Sequence, residues 1–229
     1  MKNKRIKVAV GLSGGVDSSV AAALLRNQGY AVSGITMEIY DGTLGVDESA
    51  KHACFGPGEK EDVESAAAIC RKLEIPFHTI DLRQEYQKHV IQYFRNEYLA
   101  GKTPNPCVVC NQKLKFGFLL EKARQTGLEF DYFATGHYAR LQTGPDGRRH
   151  LHRGVDPGKD QSYFLARLNQ DQLQGALFPL GDLTKDEVRA IARRHDLVPA
   201  MGQESQDICF IKDTPYHRFL QKQEGFRPQ

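Results

Sequence analysis

Residues 6–19 read Ile6-Lys7-Val8-Ala9-Val10-Gly11-Leu12-Ser13-Gly14-Gly15-Val16-Asp17-Ser18-Ser19, and this stretch decides the fold. Ile6–Val10 is a short, β-branched run suited to a strand buried on both faces. Two consecutive glycines then let the backbone bend tightly and turn its N–H groups toward an anion. The Ala- and Leu-rich run Val20–Gln28, closed by Gly29, predicts a helix whose N-terminus adds partial positive charge. Strand, glycine turn and helix in this order form a phosphate cradle. Gly-Lys-Ser/Thr is absent, so this is not the P-loop that cuts the β–γ bond, and it is not GxGxxG either. Ser13, Ser18 and Ser19 supply hydroxyl donors. A carboxylate at Asp17, beside such a cradle, calls for a cation between it and the phosphate, and Mg2+ is the expected one.

Working outward, the first 137 residues alternate strand-like and helix-like runs. Tyr30–Tyr40, Phe77–Asp81 and Tyr132–Thr135 predict strands. Helices are expected from about Glu61 to Leu73, over Glu85–Ala100 and over Lys113–Gln125. Such alternation implies βαβ units and an α/β fold with a parallel, three-layer α/β/α sheet. Ligands of these sheets gather beyond the carboxyl ends of the strands, where Ser13–Ser18, Met37 and Gly136-His137 lie. Past residue 138 the pattern changes. A hairpin is expected around Gly144-Pro145-Asp146-Gly147, and Thr184-Lys185-Asp186-Glu187 is a capping box opening a helix to about His195. The reading is therefore a nucleotide-binding domain over 1–137 and a smaller adaptor over 138–229.

The chain has 229 residues, 40% of them hydrophobic and 26% charged, proportions of a folded domain rather than a disordered one. No apolar run approaches the roughly 20 residues needed to span a bilayer. The basic start has no h-region, so a cytoplasmic protein with no membrane association is expected. Five cysteines spread over this length read as reduced thiols rather than a disulfide framework. Residues 41–64 hold seven acids against two lysines. Arg140, Arg148, Arg149, Arg153, Lys159 and Arg167 outnumber the acids of 138–167, a patch compatible with a polyanionic partner.

Cys107-Val108-Val109-Cys110 follows a loop stiffened by Pro104 and Pro106. A helix starting near Lys113 would place Cys110 just before its N-terminus, where the dipole favours a thiolate. A lone CxxC allows thioredoxin-like redox chemistry, half of a zinc site, or sulfur or iron–sulfur chemistry with a distant third cysteine. No thioredoxin pattern and no second pair accompany it, and Cys209 is the candidate third. Cys70, among Ala66–Ile69 on a helix, reads as core, and Cys54 stays undecided.

Ser13–Ser18 resembles the fingerprint of the PP-loop ATP pyrophosphatases. The set GLSGGVDSS (11–19), PNPCVVCNQKLKFG (104–117), ATGHYAR (134–140), KDQSYFL (159–165), FPLG (178–181) and ESQDICFI (204–211) resembles the tRNA-specific 2-thiouridylases within that class. The resemblance implies that the 2-carbonyl oxygen of the tRNA wobble uridine is adenylated by ATP with release of pyrophosphate, then replaced by sulfur. It implies Cys110 as nucleophile and Cys209 as bearer of a persulfide, with Asp17 in the catalytic set. Gly11, Leu12, Ser13, Gly14, Gly15, Val16, Asp17, Ser18, Met37 and Gly136 become the ATP contacts. Asn105, Pro106 and Cys107 approach the target base, and His137, Lys159, Asp160 and Gln161 touch tRNA. A sulfur donor is a necessary partner, either a cysteine desulfurase or carrier relay, or sulfide. The target base must leave its stack to be reached.

Two departures stand out. Many family members carry Asp where this chain has Cys107. Cys107, Cys110 and Cys209 then offer three thiolates, a set able to hold a 4Fe–4S cluster with one open iron, so persulfide and cluster both stay open. The resemblance also implies a C-terminal β-barrel in family members, and the reading expects none within these 229 residues. The alternatives are a PP-loop sulfurtransferase or amidotransferase acting on another substrate, and a non-catalytic fragment that binds ATP or tRNA.

Overall fold

The computed structural model describes residues 5–42, 56, 58–197 and 208–211. Cys54, most of the acidic stretch and residues 204–207 lie outside the described residues. Five parallel strands form the central sheet in the order β3-β2-β1-β4-β7: β1 Lys7–Gly11, β2 Ala31–Glu38, β3 Phe77–Asp81, β4 Tyr132–Ala134 and β7 Ala176–Leu177. The chain steps outward from β1 through β2 to β3, then returns to the other side of β1 as β4. The order therefore reverses between β1 and β4, and a crevice opens at such a switch point beyond the carboxyl ends of the strands.

Alternation along the strands builds two cores. Val8, Val10, Val32 and Ala134 face one layer, packed with Val20, Ala21 and Leu25 of helix α1 (Val16–Asn27), Ala66 and Ile69 of α2 (Glu59–Lys72), and Val188 and Ala192 of α8 (Lys185–Arg194). Ala9, Ile35 and Phe133 face the other. There they meet a bent helix that runs as α3 (Arg83–Tyr86), a π-helical turn (Gln87–Ile91) and α4 (Gln92–Leu99). A second composite helix joins them: α5 (Pro106–Val109), a π-helical stretch (Cys110–Phe118) and α6 (Leu119–Gln125). The expected three-layer α/β/α arrangement is thus the observed one. Cys70 is core, as expected. A Cβ on Gly34 of β2 would collide with the Cys70 Sγ, and burial pushes the thiol up to about 11.

Strands β5 (Ala139–Thr143) and β6 (Arg149–Arg153) pair as the expected antiparallel hairpin. Downstream of a 3-10 turn (Ser162–Leu165) and α7 (Gln170–Gln174), β7 joins the main sheet beside β4, and α8 packs on α1. A two-residue strand has too short a signature to be read from sequence. The capping box is present in full. Thr184 Oγ1 accepts from Glu187 N–H, and the Glu187 carboxylate accepts from Thr184 N–H.

Candidate active site

The glycine turn and α1 are one device, and the helix starts earlier than its apolar run suggested. Gly15, extended at φ −89° and ψ 166°, caps α1, so Val16-Asp17-Ser18-Ser19 are its first turn and not loop. Gly14 sits at φ +74°, where a Cβ would lie 2.8 Å from the Asp62 carbonyl. The turn is braced from within: Ser18 Oγ donates to Gly15 O at 3.1 Å and accepts from Ser13 N–H at 3.3 Å, and Ser19 Oγ donates to Gly15 O at 2.8 Å. In this state the Ser18 and Ser19 hydroxyls hold the loop. Leu12 is tied to β2 on both sides, through its N–H to Ile35 O and through Thr36 Oγ1 to its own carbonyl.

Gly136, after β4, packs against the start of α1. A Cβ there would lie 2.7 Å from Ser18 N, so the loop after β4 rests on the first turn of α1. Met37 lies near the carboxyl end of β2, half-buried against the core that also holds Cys110 and Cys209.

Asp17 already has two partners. Lys185 Nζ lies 2.8 Å from both of its carboxylate oxygens, and Tyr138 Oη donates to Oδ1 at 2.8 Å. A metal at Asp17 would have to displace this lysine, so the donor set does not fit the Mg2+ expected there. The sequence reading missed Lys185, which looked like an ordinary first-turn residue of a capped helix. Its burial is what marks it, and burial is not visible in a local pattern.

The cysteine segment also differs from expectation. Pro106 at the first helical position and the Asn105 side chain, accepting from Val108 N–H at 3.2 Å, open the helix at 106. Cys107 therefore sits in the first turn, where the dipole acts, and Cys110 begins the nine-residue π-helical stretch. The wider π turn is a feature that recurs at functional sites. Cys209 arrives from the far end of the chain. Phe210, 3% exposed, makes edge-on contacts with Tyr86 and Phe94, and the Tyr86 hydroxyl lies 3.1 Å from Cys209 Sγ. Tyr86 and Phe210 were not singled out from sequence.

Among the described residues no three or more His, Cys, Asp or Glu side chains come together as a metal site.

His137 follows Gly136, shares a 2.7 Å hydrogen bond with Thr135 Oγ1, and stands near the rings of Phe116 and Phe178. Burial, with Lys115 nearby, pushes its pKa down to about 3. The imidazole is neutral at physiological pH and offers hydrogen bonding rather than charge. Gln161 is bonded in both directions to the Tyr138 backbone, and Asp160 accepts from Gly154 N–H, Ser162 N–H and Ser162 Oγ. These two residues shape the loop against Tyr138, and Lys159 is half-buried beside them. Further out, Arg153 and Arg167 are exposed, and Tyr163 is 65% exposed. No helix among the described residues is long and apolar enough to cross a membrane.

Comparison with known proteins shows the family. A family model described as the tRNA methyl transferase HUP domain matches residues 6–213. The chain is 50% identical to the tRNA-specific 2-thiouridylase MnmA of Geotalea uraniireducens, over 97% of this chain and 59% of that protein. It is 48% identical to the MnmA of Geobacter metallireducens, over 96% and 59% respectively. A solved 4-thiouridine synthetase–RNA complex with bound ATP matches with a TM-score of 0.47 at 17% identity, over 83% of this chain and 41% of that one, too loose a likeness to carry a functional argument. The chain spans about three-fifths of the length of these curated relatives. With most of its length matched by one family model, the chain belongs to the tRNA methyl transferase HUP-domain family and is a homologue of the MnmA 2-thiouridylases.

Proposed function

We propose that this chain carries out ATP-dependent 2-thiolation of the tRNA wobble uridine. The observation that carries the proposal is the contact between Tyr86 and Cys209, which brings a distant thiol to the carboxyl edge of the sheet, where the glycine turn also lies. ATP sits with its phosphates on the turn of Gly11–Ser18, between Met37 and Gly136. The uridine 2-carbonyl oxygen attacks the α-phosphorus and pyrophosphate leaves, which converts a poor leaving group into AMP. A sulfur donor has by then loaded Cys209 as a persulfide, whose terminal sulfur attacks C2 and expels AMP. The Cys110 thiolate next attacks the Cys209 sulfur, breaking the S–S bond. This frees 2-thiouridine and leaves a Cys110–Cys209 disulfide, which an external dithiol reduces.

On this reading Asn105-Pro106-Cys107 faces the extruded base. The 138–229 part presents tRNA contacts from Lys159 outward to Arg153, Arg167 and Tyr163, joined by His137 at the boundary, while 1–137 supplies nucleotide activation. Asp160 and Gln161 contribute by shaping that surface. The test is AMP release from ATP with and without tRNA, followed by nucleoside mass spectrometry. Cys209→Ser should abolish 2-thiouridine and leave ATP binding intact, and a variant that still thiolated tRNA would overturn the scheme. A second reading is binding of ATP or tRNA without turnover. ATP binding with no tRNA-dependent AMP would select it, and AMP formation driven by another carbonyl compound would point to a sulfurtransferase or amidotransferase with a different substrate.

A further inference from the structure

We infer that Lys185 is the built-in counter-ion of Asp17, a positioning residue that keeps the phosphate-binding turn electroneutral without a metal ion on that carboxylate. Asp17 stands in the first turn of α1, the helix end that would receive the phosphates. An uncompensated carboxylate there would repel a triphosphate. Lys185 cancels it from the other end of the chain: its Nζ lies 2.8 Å from both oxygens, and its side chain is 9% exposed. A charge so buried is retained only when paired.

Three further contacts aim the pair. The Asp156 carboxylate accepts the Lys185 backbone N–H at 2.9 Å, the Thr184–Glu187 capping box sets where α8 begins, and Tyr138 Oη takes a second bond to Asp17 while its ring lies 5.8 Å from Nζ. The carboxylate, phenol and ammonium come from three separate segments, so the charge of the N-terminal loop is set by residues past 138. This inference rests on the nucleotide-binding reading above.

The test is the ATP dissociation constant, by equilibrium dialysis, for the wild-type chain, Lys185→Met, Asp17→Asn and the double variant, each checked by thermal unfolding. At an effective dielectric of about 20, a unit charge roughly 6 Å from a phosphate changes binding about a hundredfold. Lys185→Met should lose affinity by about that factor. Asp17→Asn/Lys185→Met, neutral again, should return to within about tenfold of wild type. A double variant as weak as Lys185→Met would overturn the inference and place the ammonium on the nucleotide itself. Wild-type affinity in Lys185→Met would overturn it too. Should Lys185→Met fail to fold, the double variant alone decides, because it buries no unpaired charge; a hundredfold loss there is the overturning result. A wild-type chain that binds no ATP would sink this inference and the proposed function together, whereas intact wild-type binding with an unrescued double variant would sink only this one.

Discussion

The Tyr86 hydroxyl lies 3.1 Å from Cys209 Sγ although 123 residues separate them. Tyr86 is 1% exposed and stands in the first turn after β3, so the position of the sulfur is set by the sheet and not by the chain end that carries it. Replacing Tyr86 by Phe removes this polar contact and keeps the ring against Phe210. One hydrogen bond of ordinary strength is worth about 1 kcal/mol, so thiolation should slow about fivefold. ATP binding should stay unchanged. Single-turnover formation of 2-thiouridine, beside a nucleotide-binding assay, measures both.

Phe210 anchors the same segment. Truncating a buried Phe costs about 3–5 kcal/mol where the surroundings cannot collapse. Because Phe210 packs edge-on against Tyr86 and Phe94, the cost should fall on docking of 208–211 rather than on the whole fold. Phe210→Ala should therefore retain tRNA-dependent AMP formation and lose thiolation by about tenfold or more. Equal loss of both activities would show that the segment has a wider role.

Gly136 tolerates no side chain. A Cβ 2.7 Å from Ser18 N, with the Asp17 backbone equally close, would push the first turn of α1 off the loop. Displacements of about 1 Å at such a site cost on the order of a hundredfold. Gly136→Ala should weaken ATP binding by at least tenfold, the lower part of that range. Isothermal titration with ATP gives the answer directly.

The depressed pKa of His137 links stability to pH. Its folded value, about 3, lies below the unfolded value near 6.5. The neutral ring is the form the fold accepts, so the contribution is complete above about pH 6.5 and is lost as pH falls toward 3. Between pH 7 and 4.5 the chain should lose roughly 2 kcal/mol of stability through this residue. His137→Gln, uncharged throughout, should flatten that part of the profile. Denaturant midpoints at several pH values check the slope.

Tyr163 is exposed in a stretch that also holds Lys159 and Arg167. Stacking of a base on an aromatic ring is worth about 1–3 kcal/mol. Tyr163→Ala should weaken tRNA binding about fivefold or more at constant salt, with the salt slope unchanged, because no phosphate contact is lost. A change in slope would assign the residue to backbone contact instead.

Most of the fold is legible in local pattern. Ile6–Val10, the double glycine and the helix after it specify a strand, a tight turn, a helix and their order, because backbone freedom and β-branching act within a few residues. The Thr184–Glu187 box works equally locally, and it is present in full. Helix starts were misplaced at α1 and α5 for a physical reason: the true N-caps, Gly15 and Asn105, precede stretches whose side chains serve the turn or the prolines rather than an apolar face. The π-helical winding after Cys110 has no short-range signature at all.

By itself, then, the sequence determined the parallel α/β class and the order of strand, glycine turn and helix at its start, both consequences of residue type and near spacing. Tertiary structure alone decided which groups meet. Asp17 meets Lys185 across 168 residues, Cys209 meets Tyr86 across 123, and β7 joins the sheet through two residues. Such meetings depend on how the layers close over a shared core. The burial that turns Lys185 from a surface charge into a fixed counter-ion exists only once those layers have packed.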